Sequence, residues 1–178
     1  MGSLGTHTVR VANTSECTNG ETSQTACGFV VEFADIISIQ KMNSTSTNKG
    51  GWPASELQNV IAETSVVSSH GSTSGEANFT SSDKLYLLST KEVWGKDGIS
   101  NNTAEAETRQ LDYYKNNGVT TSNYSGAIKQ YNGTNTSWWL RSAYSDDANY
   151  FFRVIGSGAC ASNHASSTYG VAPAFRIA

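Results

Sequence analysis

GACASNHASSTYGV, Gly158 to Val171, runs directly into APAFRIA, residues 172–178, at the end of a 178-residue chain. The first segment is built from small and polar residues with neither the period of two that marks a strand nor the 3.6 of a helix, so it reads as a loop. The residues after it read as a packed strand. Working backwards, SWWLRSA (137–143) and NYFFRVI (149–155), together with YGVAPAFRI (169–177), give three strands separated by loops. The C-terminal third is therefore expected to be a strand framework that carries an aperiodic, polar loop surface.

Towards the N-terminus, THTVRVAN (6–13) alternates as a first strand, and GFVVEFADIISIQKM (28–42) reads as a longer buried strand with a bend near Ala34 and Asp35. A polar loop over 43–51 leads into WPASELQNVIAE (52–63). Pro53 suits an early helical position there, and Trp52, Leu57, Val60 and Ile61 repeat along one helical face. Residues 64–80, rich in Ser, Gly and Thr, read as a long loop, and order resumes with the apolar cluster in TSSDKLYLLSTKEVWG (80–95). TAEAETRQLDYYKNNG (103–118) is the strongest helix pattern, with Thr103 as N-cap, acids in the first turn and Gly118 just past its end. No repeat or linker divides the chain, so residues 1–178 are expected to form one α+β domain with much irregular structure.

Composition narrows the function. Net charge is −3, and the five Arg and seven Lys form no cluster, which excludes the basic footprint of a nucleic-acid binder. No apolar run approaches a membrane span, and MGSLGTHTVRV lacks the regions of a signal peptide. Cys17 and Cys27 flank a loop that a disulfide could close, as in an extracellular protein, or they are two free thiols; Cys160 is the odd one out. Asn-x-Ser/Thr sequons at Asn13, Asn43, Asn78, Asn101, Asn123, Asn132 and Asn135 mark exposed loops more than glycosylation.

Catalytic and metal patterns are missing. His7, His70 and His164 stand far apart with no zinc-ligand spacing, and GSTSG (71–75) carries Thr73 where a nucleophile elbow needs Ser. Asp146, Asp147 and Asn149 could offer oxygens to calcium, but the EF-hand spacing is absent and an acidic turn is the expected reading. No metal or cofactor is expected. Trp52, Trp94, Trp138 and Trp139 sit in apolar settings as core or half-buried residues, whereas Tyr144, Tyr150, Phe152 and Tyr169 stand among small polar neighbours. Rigid aromatics mixed with Ser, Asn, Gly and Ala compose a binding surface.

The motifs GGWPASEL, SSDKLYLLSTKEVWG, WWLRSA and GVAPAFRI, spread from about Gly51 to Ile177, together resemble the variable proteins of diversity-generating retroelements, in the gut- and virus-associated branch. The resemblance implies a C-type lectin fold, with two helices and a small twisted antiparallel sheet. It also implies that a reverse transcriptase copies a template repeat with errors at adenines and that the copy replaces the 3′ end of the gene, so that Asn codons diversify. Mutating both adenines of AAC reaches fifteen residue types but never Lys, Glu, Gln, Met or Trp. Those five types make up 27 of the 178 residues, yet none occurs between Ala143 and Tyr169. About four would be expected there, and a chance absence is on the order of 1%; a Ser/Ala-rich loop also predicts some depletion.

On this resemblance Trp138, Trp139, Leu140, Arg141, Ser142, Gly170, Val171, Pro173, Phe175 and Arg176 are scaffold, with Arg141 and Arg176 holding carboxylates or carbonyls, and Ala148, Val154, Ala161 and Ala165 are inward-facing spacers. The outward, diversified ligand-binding positions, within a hypervariable region at about 143–169, are Tyr144, Asp146, Asp147, Asn149, Tyr150, Phe152, Arg153, Ile155, Ser157, Cys160, Ser162, Asn163, His164, Ser166, Ser167, Thr168 and Tyr169. The expected function is a non-enzymatic display protein that binds a protein or cell-surface ligand at a virion tail tip or cell surface. The E-P-N and W-N-D motifs of calcium-dependent lectins are absent, so the fold does not imply sugar binding. The alternatives are an adhesion or cell-wall module with a fixed ligand, or an enzyme resembling the formylglycine-generating enzymes, for which no paired active-site Cys is present. Trp139→Ala is expected to cost several kcal/mol of stability, and Tyr150→Ala or Tyr169→Ala almost none.

Overall fold

The computed structural model describes residues 6–16, 28–62, 85–95 and 109–177. Within them the chain is α+β and mostly β. β1 (Val9–Asn13), β2 (Phe29–Phe33) and β3 (Ser38–Lys41) come first, followed by a 3-10 turn at Trp52–Ala54 and then α1 (Glu56–Ala62), α2 (Thr90–Trp94) and α3 (Asp112–Asn116). The two-residue strands β4 (Gln130–Tyr131) and β5 (Thr134–Asn135) precede β6 (Trp138–Ala143), β7 (Tyr150–Val154), β8 (Cys160–His164), β9 (Thr168–Val171) and β10 (Ala174–Ile177). One sheet has the order β1-β2-β10, a second β3-β9-β6-β7-β8, and β4 pairs with β5. Every pairing is antiparallel except β6 with β9, which meet in parallel at Trp138 and Gly170.

The bend expected at Ala34 and Asp35 divides the long strand between the two sheets, as β2 and β3. Its partner divides opposite, as β9 and β10, because Pro173 has no N–H to give a ladder. Its carbonyl still accepts from Phe33 N at 2.9 Å, while Ile37 N donates to Val171 O at 2.9 Å. The two segments thus run side by side and change sheet together.

Alternation along β6 and β7 fills both faces of the five-stranded sheet. Trp138, Leu140, Phe152 and Val154 enter one core with Leu88, Val93, Leu111 and Tyr114. Trp139 and Phe151 enter another with Met42, Leu57, Ile61, Leu87 and Phe175. A strand covered on both sides reads as an unbroken apolar run, which is why SWWLRSA and NYFFRVI stand out in the sequence. On β6 both indole N–H groups find a carbonyl, Trp138 Nε1 at Ala127 O (3.1 Å) and Trp139 Nε1 at Gln40 O (3.0 Å).

Several expectations need correction. The stretch 158–171 is not a loop: Cys160–His164 forms β8, paired along its length with β7, and Thr168–Val171 forms β9. β8 is an edge strand whose five residues are all at least partly exposed, so no buried face imprints a period on its sequence. Gly158 makes the hairpin possible, with φ at +92° and a Cβ-free face against the carbonyl oxygen of Tyr124. In α1, Leu57 and Ile61 are buried, but Val60 is 61% exposed, one residue off the packed stripe. Three helices are present among the described residues, not two; of the helix expected over 103–118, residues 112–116 are helical, Asn117 and Gly118 lie past its end, 109–111 are non-helical, and 103–108 lie outside the described residues. Asn13 and Asn43 are buried, not exposed, and Asn13 Nδ2 donates to Gly28 O at 2.8 Å. Cys17, Cys27, His70, Asn78, Asn101, the GSTSG motif and the loop over 64–80 lie outside the described residues.

The framework is tied by buried charge. Glu32 is fully buried and accepts from Arg10 Nε (2.7 Å), Lys129 Nζ (3.0 Å) and Tyr114 Oη (2.8 Å). Burial alone would raise its carboxyl, but the charges of Lys129 and Arg10 and the hydrogen bonds from Arg10 and Tyr114 outweigh burial and hold it below the ordinary value. Burial also pulls the Lys129 ammonium down to about 8, against the charge of Glu32.

Candidate functional site

The expected variable residues gather on the β7–β8 hairpin, the turn that precedes it and β9, and the hairpin divides them between two faces. On one face, the rings of Tyr150 and His164, cross-strand partners, lie 4.5 Å apart, and Tyr144 meets Tyr150 at 6.4 Å and Phe152 at 5.3 Å. His164 Nδ1 is 2.7 Å from Ser46 Oγ and its Nε2 is 3.2 Å from Tyr150 Oη; a neutral imidazole donates through one nitrogen and accepts through the other. This serine and imidazole have the atoms of a nucleophile and base. His164 is exposed and Ser46 half-buried, however, and the second ring nitrogen meets a phenol where a triad would place a carboxylate.

The turn between β6 and β7 is held from behind. Asn48 Nδ2 donates to the carbonyls of Tyr144, Asp147 and Tyr150, each at 2.8 Å, and Asn48 N donates to Ala148 O at 2.6 Å. Asp147 Oδ1 accepts from Asn149 N and Nδ2 at 2.9 Å, which makes this the acidic turn of the sequence reading, and Ser145 Oγ donates to Asp146 Oδ1 at 3.1 Å. Among the described residues no group of three His, Cys, Asp or Glu side chains converges as a metal site would require.

On the other face Tyr169 packs edge-on against Trp139, with ring centres 4.9 Å apart, and its hydroxyl accepts from Asn163 Nδ2 at 2.6 Å. Asn163 Oδ1 accepts in turn from Ser167 Oγ at 3.3 Å and from His164 N at 2.8 Å. The Arg153 guanidinium stacks over the Tyr169 ring at 4.3 Å, and its Nη1 donates to Ser137 Oγ at 3.1 Å.

The remaining candidates are scattered. Ile155, Ser157 and Cys160 lie at the opposite end of the hairpin from Tyr150 and His164, roughly 13 Å away along the strands. Ser162 and Ser166 are half-buried and Thr168 is exposed. Phe152 is only 5% exposed and belongs to the core, against its expected outward placement, because the alternation that turns Arg153 out turns Phe152 in. Cys160 packs against the same core, and burial pushes its thiol up to about 12, so it is not a reactive group. Of the four expected spacers, Val154 and Ala165 are buried, whereas Ala161 is half-exposed and Ala148 is exposed at the turn.

The scaffold behind these faces is locked. Ser89 and Glu92 form a reciprocal cap on α2, and the Glu92 carboxylate accepts from Arg141 Nη1 at 2.6 Å and Nη2 at 3.0 Å. Arg141 Nη1 also donates to Leu87 O, as expected of it. Among the described residues Arg176 has neither a carboxylate nor a carbonyl partner, and its Nε is buried without an acceptor, against the role expected for it. An open cleft of about 580 Å³ beside α2 and α3, lined in part by Lys91, Arg109 and Asp112, contains none of the expected residues.

Sequence reasoning missed Ser46, Asn48 and Ser137. Ser46 and Asn48 lie in a polar loop without period, and only the folded structure brings that loop beneath the 144–150 turn. No helix among the described residues is long and apolar enough to cross a membrane.

These features define an α+β protein with a locked strand framework and a partly exposed hairpin surface of aromatic and small polar side chains. The chain matches the family described as Domain of unknown function (DUF6273) over residues 35–178 and belongs to it. No curated protein and no solved structure shows significant similarity to the chain.

Proposed function

We propose that the chain is a non-enzymatic ligand-binding display protein with a C-type lectin-like fold. Its C-terminal surface is diversified by adenine-directed mutagenic retrohoming, and it acts at a virion tail tip or a cell surface. The observation that carries this reading is the contrast between residue types and burial across one continuous segment. From Ala143 to Tyr169 no Lys, Glu, Gln, Met or Trp occurs, and most of the candidate side chains there are at least partly exposed. Trp138, Trp139 and Leu140 before that segment, and Val171, Ala172 and Ala174 after it, are 2% exposed or less. Substitution at exposed positions typically changes stability by no more than about 0.5 kcal/mol, so a surface on such a frame varies without unfolding it.

Phe152 and Cys160 support the frame more than the surface. The contact set is then Tyr144, Tyr150 and His164 on one face and Arg153, Asn163 and Tyr169 on the other, where rigid aromatics give area and small polar groups adapt. The test is the flanking DNA. A near-copy of the region encoding Trp138 to Arg176, differing opposite adenines, is the expected result; a flank without such a repeat would sink the proposal.

A further inference from the structure

The guanidinium of Arg153 is arranged as a receptor that has no acid of its own. Its Cζ lies over the Tyr169 ring, 4.3 Å from the centroid, and Nη1 is tethered to Ser137 Oγ at 3.1 Å. Tyr169 is fixed from both ends, by Trp139 at 4.9 Å and by the Asn163 amide on its hydroxyl at 2.6 Å. The ion pairs among the described residues belong to Arg10, Lys129 and Arg141, and Arg153 has none. Its Nε is buried without an acceptor, and Nη2 makes no hydrogen bond among the described residues. Nε–H and Nη2–H form one edge of the guanidinium, the edge that grips a carboxylate side-on with two parallel hydrogen bonds.

We propose that Arg153, held by Tyr169 and Ser137, is a binding site for a carboxylate group of the ligand. The ring and the hydroxyl fix the plane of the fork before the ligand arrives, so little side-chain freedom is lost on binding. Nε is buried in the unliganded structure, so docking on this edge requires its cover to give way, and the carboxylate then supplies the acceptor that Nε lacks. With one guanidinium edge on offer, a flat carboxylate uses both of its oxygens, whereas a phosphate leaves its third oxygen and second charge to water. As an account of which ligand is bound, this rests on the display reading; as chemistry it is tested without it, because repeat sequencing and carboxylate binding can fail separately.

The experiment follows the Arg153 Nε–H cross-peak in the 15N-labelled protein, assigned by its loss in Arg153→Lys. Sodium acetate is titrated at an ionic strength held constant with sodium chloride, and inorganic phosphate is titrated in a parallel series. The expected result is a saturable shift with acetate that chloride alone does not give and that phosphate gives only at higher concentration. Ser137→Ala, which removes the tether and leaves the core untouched, should weaken the acetate response severalfold, with backbone cross-peaks elsewhere unchanged. An acetate response no different from chloride, or tighter binding of phosphate, overturns the proposal.

Discussion

Arg141 on β6 and Arg153 on β7 lie on neighbouring strands of one sheet, and the fold uses them in opposite ways. Arg141 closes two hydrogen bonds on the buried Glu92 carboxylate, which itself caps α2, so its charge is spent inside the molecule. Arg153 stacks on a half-buried tyrosine and bonds a single hydroxyl, so its charge stays available at the surface. The same contrast separates Trp139, fully buried, from Tyr169, which leans on it from outside. One chemistry, placed a strand apart, is locked into the frame in one position and left partly exposed in the other.

That division can be broken most severely through acid. The Glu32 carboxyl is held below its ordinary value of 4.5, so its contribution to stability is fully present above that pH and is lost as pH falls through the lower folded value. Denaturation followed from pH 7 downwards should show stability falling below about 4.5, and Glu32→Gln should flatten that limb; an unchanged limb would remove Glu32 from the frame.

Single substitutions rank below this. Trp139→Ala should cost about 3 to 5 kcal/mol in chemical denaturation, as a buried Trp leaves a cavity. Glu92→Gln should cost a similar 3 to 5 kcal/mol, because it strands the largely buried Arg141 charge. Arg153→Gln, which strands no acid, should fall within about 0.5 kcal/mol of the parent protein. If the two arginine sites prove equally costly, the distinction between them fails.

Tyr169→Ala is no longer expected to be silent. It removes an edge-on contact with Trp139 and should cost about 1 kcal/mol, measured by the same denaturation. Tyr150→Ala, whose ring meets His164 and Tyr144 at the surface, should stay within about 0.5 kcal/mol, and a larger loss would assign that face to the frame.

How much of this was legible in the sequence depends on whether local pattern or distant pairing decides a segment. The two-sided burial of β6 and β7 writes itself as adjacent large apolar residues, Trp138, Trp139 and Leu140 in one and Phe151 and Phe152 in the other, and the bend at Ala34 and Asp35 showed in the break between two apolar runs. β8 wrote nothing. Cys160–His164 is a strand because β7 pairs with it, and an edge strand of small polar residues has no core face to announce itself. The candidate residues were legible as one stretch of chain, through the mixture of aromatic and small polar types, but their division between two faces was not. That division follows from strand alternation in β7 and β8, which also moved Phe152 into the core. Ser46 and Asn48 come from a polar loop far away in sequence, and only tertiary structure sets them beside His164 and the 144–150 turn; Ser137, at the start of the SWWLRSA segment, meets Arg153 through the β6–β7 pairing.

The central claim is most directly tested by deep sequencing of this gene in a population that carries it. If the frame and face divide as described, substitutions concentrate at codons such as those of Tyr144, Tyr150, Arg153, Asn163, His164 and Tyr169, and Trp138, Trp139, Leu140 and Arg141 stay constant. Variation spread evenly along the gene, or absent from residues 143–169, would contradict it.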